Sequence, residues 1–113
     1  MPRKLIALAT ASALTAAPAF ADDCTRVVFS DVGWTDITAT TALTTTVLEA
    51  LGYGTETLVL SIPVTLASMA NNDIDVFLGN WMPTMEADIA PYREAGTIDT
   101  VARNLTGAKY TLA

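Results

Sequence analysis

The chain has two tryptophans, Trp34 and Trp81, and both stand among turn-forming residues, in GWTD (33–36) and GNWMPT (79–84). Facing indoles attract a cation through the ring quadrupole, at about 0.5–2 kcal/mol per ring depending on desolvation. A quaternary ammonium suits such a box, because it has no N–H to donate and little hydration to lose. The competing role for each indole is to plug the end of a sheet. Asp36, close behind Trp34, has two roles open to it. One is the N-cap of the helix that follows. The other is to accept a hydrogen bond from a ligand hydroxyl and balance a ligand's positive charge. Its two carboxylate oxygens allow both. Met82 and Met85 read as packing residues, and Asp73, Asp75, Glu86 and Asp88 as solvated faces.

Other chemistries lack material. The chain has no histidine and one cysteine, Cys24, so zinc ligation and histidine acid–base catalysis are not provided for. There is no G-x-S-x-G elbow, Walker motif or dinucleotide fingerprint. A secreted hydrolase on an α/β sheet is therefore the weaker alternative. The expectation is a protein that is not an enzyme and carries no cofactor.

The elements that must position Trp34 and Trp81 follow from the hydrophobic pattern. Arg26–Ser30 is β-branched and aromatic and reads as a buried strand. A helix follows from about Asp36 to Leu51, capped by Thr35 or Asp36 and closed by Gly52. Ile37, Thr40 or Thr41, Thr44, Val47, Leu48 and Leu51 share one of its faces. Thr57–Leu60 is a second strand, and a short helix runs from Pro63 to about Ala70. Asp75–Gly79 is a third strand. A third helix begins at Pro83 and reaches Glu94, with Gly96 behind it. Thr97–Ala102 reads as a fourth short strand, and Lys109–Ala113 as the start of another extended run. Alternating strands and helices predict an α/β fold with a parallel sheet and flanking helices. Parallel strands share a direction, so the loops after the first and third strands carry both indoles to one edge, the edge at which open α/β sheets bind ligands.

The first 21 residues read as something else. Arg3 and Lys4 precede an apolar run from Leu5 to about Ala17, and Ala19-Phe20-Ala21 has the form of a signal-peptidase site. The run is short of the roughly 20 apolar residues of a spanning helix. The division expected is 1–21 signal peptide and 22–113 mature protein. Six basic residues stand against twelve acidic ones, for a net charge of −6, and cleavage would remove two of the basic ones. That balance opposes nucleic-acid and anionic-membrane partners and is compatible with a cationic ligand. A lone cysteine in an exported chain implies a free thiol or a partner outside this sequence.

The segments FSDVGWTDITATTA, VLEALGY, DIDVFLGNWMPTMEADIAPY and GAKYTLA closely resemble the periplasmic choline-binding proteins of bacterial ABC importers, within the wider family of glycine betaine, carnitine and choline substrate-binding proteins. The resemblance covers almost all of the mature chain. It implies a two-lobed binding-protein fold about three times as long, of which this chain is the first part of lobe one. By motif, Trp34 and Trp81 correspond to two walls of an aromatic box, Tyr110 to a third, and Asp36 to the partner of the choline hydroxyl. It also implies a periplasmic monomer that delivers its solute to a membrane permease, and a downstream cysteine as a candidate partner for Cys24. Betaine or carnitine binding, a sensor reusing the fold, and a truncated inactive product are the alternatives.

Overall fold

Strand β1 (Arg26–Asp31) takes the stretch RVVFSD and becomes the centre of the sheet. In the computed structural model, which describes residues 25–109, β1 is followed by α1 (Thr35–Ala50), β2 (Gly54–Val59), α2 (Ile62–Ala70), β3 (Val76–Phe77) and α3 (Glu86–Glu94). The three strands are parallel in the order β2-β1-β3, with Arg26 opposite Gly54, Phe29 opposite Val76 and Ser30 opposite Phe77. The α/β expectation is met. Residues 1–21, Cys24 and Tyr110 lie outside the described residues, as does most of the 109–113 run.

Successive side chains of a strand point to opposite faces, and two hydrogen bonds show where those of β1 go. Ser30 Oγ meets Thr65 Oγ1 of α2 at 2.6 Å, fully buried. The Asp31 carboxylate meets Thr38 of α1. Thus α1 and α2 cover opposite faces of β1. The strand order reverses at β1, because β2 lies on one side of it and β3 on the other. On the α2 side, Leu66, Ile89 and Ile98 form a buried cluster with Ile62, Met69 and Tyr92 against it. Phe29, Ile37 and Thr41 are buried as well.

The turn after α1 follows the sequence reading. Gly52 takes φ +95°, its N–H bonds to the Glu49 carbonyl, and the Tyr53 N–H bonds to that of Leu48. This is the Schellman pattern, for which glycine is favoured. At the end of α2, Asn71 is the C-cap, and Asn72 takes the left-handed φ of 62°.

Several expectations are corrected. The N-cap of α1 is Trp34, without a side-chain capping bond. Thr35 and Asp36 fall inside the first turn, where an acidic side chain still suits the helix dipole. Val47 and Leu51, expected on the inner face of α1, are exposed. Strand β2 starts earlier than expected, because backbone pairing with β1 from Arg26 needs no apolar side chain. Strand β3 is shorter than Asp75–Gly79. The Asp75 N–H still bonds to the Val28 carbonyl, but the Val28 N–H goes to the Asp75 side chain at 2.7 Å rather than to a ladder carbonyl. Helix α3 begins at Glu86 rather than Pro83, because residues 81–85 close a turn of their own, with the Met85 N–H on the Trp81 carbonyl. Thr97–Ala102 forms no strand. Side chains anchor this stretch and its continuation instead: Ile98 enters the α2–α3 cluster, and Asn104 Nδ2 donates to the Leu78 carbonyl.

The Ser30–Thr65 pair generates a stability prediction. Thr65→Val leaves the Ser30 hydroxyl buried without its partner and costs about 1–3 kcal/mol. The double substitution Ser30→Ala/Thr65→Val, which removes both polar groups, costs less than the sum of the two single changes in urea unfolding.

Candidate functional site

The carboxyl ends of β1 and β3 are adjacent in the sheet, at the point where strand order reverses. Doubly wound α/β sheets bind ligands in the crevice at that point. Trp34 follows β1 and Trp81 follows β3. Each stands equally far along the chain past a paired position, Ser30 for Trp34 and Phe77 for Trp81.

A cavity of about 1060 Å³ opens here. Asp36 and Thr40 of α1, Asn80, Trp81 and Met82 of the loop after β3, and Arg93 of α3 are among its walls, and the stretch after Ile98 borders it. The sequence-predicted residues Asp36 and Trp81 are therefore brought to one cleft. Trp34 is not among the residues that line it. Trp34 is 39 % exposed, and Trp81 is half-buried. Tyr110 lies outside the described residues.

The Asp36 carboxylate is exposed and has no hydrogen-bond or ion-pair partner among the described residues. Its backbone carbonyl accepts from the Thr40 hydroxyl at 2.8 Å. Asp36 is thus an open acceptor on the rim of a concave surface. Two cations line the same cavity: Arg93 is matched by an ion pair with Glu86, and Arg103 has no ion pair among the described residues.

Trp81 is held at both ends of a short loop. Its backbone N–H donates to the sulfur of Met85 at 3.3 Å, its carbonyl accepts the Met85 N–H at 2.9 Å, and Met85 is buried. The Met82–Pro83 peptide in this loop is cis. Upstream, Gly79 is buried where a Cβ would stand 2.8 Å from the Phe77 ring and 3.0 Å from Ile37. Glycine is required because the chain passes directly over these two side chains on its way to Trp81.

Sequence reasoning missed three polar residues. Asp31, which falls just past the predicted first strand Arg26–Ser30, is 4 % exposed. Its Oδ1 accepts the Gly33 N–H at 2.8 Å, and its Oδ2 accepts the Thr38 hydroxyl at 2.7 Å. The signal was present in Asp31-Val32-Gly33, since an aspartate two residues before a glycine favours an Asx-type turn. Asp75, read as solvated, is exposed but tied to Val28 and also lines the cavity. Asn80, beside Trp81, has a buried Oδ1 without a partner, and no pattern in the sequence marks it.

Comparison with known proteins bears on what this cleft holds. A family model described as OpuAC, the substrate binding domain of ABC-type glycine betaine transport system, matches residues 25–113. Two solved structures are similar. One is an ABC-transporter choline binding protein in complex with choline, at 74% sequence identity and a TM-score of 0.65, covering 66% of this chain and 26% of that one. The other is an ABC-transporter choline binding protein in an unliganded semi-closed conformation, at 71% identity and a TM-score of 0.74, covering 80% and 31%. An uncharacterized protein, ORF1, of Chromohalobacter salexigens is 56% identical over 95 residues, which is 84% of this chain and 61% of that protein. The chain spans less than a third of the length of either solved structure it matches.

The crowding at Gly79 yields a prediction for the site. Gly79→Ala displaces the Phe77 ring or Ile37 and costs about 1–3 kcal/mol, the usual range for overpacking. The expected readout is a lower urea midpoint together with a shifted Trp81 indole resonance.

Proposed function

We propose, for a chain that belongs to the family of substrate-binding domains of ABC-type glycine betaine transport systems, that it supplies the first part of a site for a quaternary ammonium solute and that this solute is choline. One observation carries the reading: an indole, Trp81, and a partner-free carboxylate, Asp36, share one cleft at the switch point of a parallel sheet. The indole attracts the methylated cation through its π face. The carboxylate accepts the hydroxyl and supplies negative charge. Trp34 is the second wall and Tyr110 the third. The remaining walls come from parts of the family domain that this chain does not span.

Electrostatics chooses within the family. Glycine betaine carries its own carboxylate, which Asp36 would repel, whereas choline carries a hydroxyl that a carboxylate welcomes. The similar protein solved in complex with choline supports the same choice. The family description, which names glycine betaine, keeps a betaine- or carnitine-type osmolyte as the second reading.

The role is binding and delivery, without a chemical step. The protein is exported to the periplasm by a signal peptide in residues 1–21. There residues 22–113 form part of lobe one of a monomer that hands its solute to a membrane permease. Without the rest of the domain the cleft lacks enclosure, and ordering the site then costs affinity that no further contacts return.

Two outcomes follow. In a protein with the complete domain, Asp36→Asn weakens choline about tenfold or more, the scale of a lost charge-assisted hydrogen bond, and does not weaken betaine, whose carboxylate is no longer repelled. Calorimetry that finds equal losses for both ligands removes the case for choline. Residues 22–113 alone bind choline weakly or not at all, and submicromolar binding by that fragment would contradict the incomplete-site reading.

A further inference from the structure

The stretch that carries Trp34 and Asp36 lacks a cap of its own. The N-cap position of α1 is occupied by Trp34, whose side chain makes no capping bond. A serine, threonine or aspartate there would hold the first turn, but the ligand wall then has no place in the chain. The task of holding the turn passes to Asp31. This residue ends the central strand, and its main-chain carbonyl receives the Leu60 N–H at 2.8 Å, which ties it to the chain just past β2. Its two carboxylate oxygens then reach the chain on either side of the site residues: the Gly33 N–H before them and the Thr38 hydroxyl after them. Gly33 takes φ +77° in between, a conformation that a side chain would strain.

We infer that Asp31 and Thr38 are a positioning pair for the ligand wall. The carboxylate bridges the Gly33–Thr38 segment to the sheet and so fixes the direction in which Trp34 and Asp36 leave it. No lysine or arginine pairs with Asp31 among the described residues. The charge is instead met by two donors and the positive end of α1. A buried carboxylate is a costly way merely to close a turn. Spanning both sides of the loop at once gives it a purpose that a simple cap does not. The pair touches no ligand and acts through Trp34 and Asp36. This role rests on the choline reading given above.

The test keeps Asp31 and varies its partner, in a protein with the complete domain. Thr38→Val preserves shape and removes the hydroxyl, and Thr38→Ser restores a donor. Well below the unfolding temperature, Thr38→Val should bind choline about tenfold more weakly, since an ordering contact for two ligand groups is lost, and Thr38→Ser should recover to within about twofold. In the unliganded protein, Thr38→Val should speed solvent exchange of the Gly33 amide about tenfold and move the Trp34 indole resonance, and Thr38→Ser should reverse both. Unchanged Gly33 exchange and an unmoved Trp34 resonance in Thr38→Val would overturn the inference. If the unsubstituted protein binds no quaternary ammonium, the ligand reading fails, and the exchange and resonance measurements alone decide the role of the pair.

Discussion

Parallel pairing of β1 with both of its neighbours is the constraint from which the rest follows. Because the strands run the same way, every loop that leaves a carboxyl end emerges at one edge of the sheet. Because β2 and β3 lie on opposite sides of β1, the loops after β1 and β3 diverge toward different faces and leave a crevice between them. The register matches Ser30 to Phe77, so Trp34 and Trp81 each stand four residues along the chain past a paired position. The cleft that contains Asp36 and Trp81 is a consequence of topology before it is one of side-chain chemistry.

Within that frame the polar residues each settle a local conflict. Ser30 and Thr65 satisfy one another where α2 crosses the sheet. Asp75 lends its carboxylate to a β1 N–H. Asp31 holds the turn that Trp34 does not cap. The Arg93–Glu86 pair reduces the net charge of a cation on the cleft wall. The Asp36 carboxylate is left open on the cleft, as are Asp99 and Arg103, which also line it and have no ion pair among the described residues. The acidic balance of the whole chain favours cations through its long-range field.

The order of elements was legible because the hydrophobic period switches between two and 3.6 residues and because Gly52, Asn71 and Asn72 punctuate it where helices stop. The edge shared by Trp34 and Trp81 was legible for the same reason, since it needs only the order of strands. What was hidden is what depends on side chains reaching across. Thr97–Ala102 has the pattern of a strand, yet Ile98 is drawn into the α2–α3 cluster. Val47 and Leu51 have the period of an inner face, yet they are exposed. Asp31 looked like a loop residue, because burial of a carboxylate is invisible until its donors are placed. Asp36 was read both as a cap and as a ligand group, and the fold removes the first role by giving the N-cap position to Trp34.

The central proposal is that Trp81 and Asp36, with Trp34 as a second wall, form one socket for a methylated cation. Nuclear Overhauser contacts between the choline methyl protons and the indole protons, measured in a protein with the complete domain, test it most directly. The account predicts contacts to both Trp34 and Trp81. Contacts to Trp81 without Trp34, or to neither ring, would contradict it.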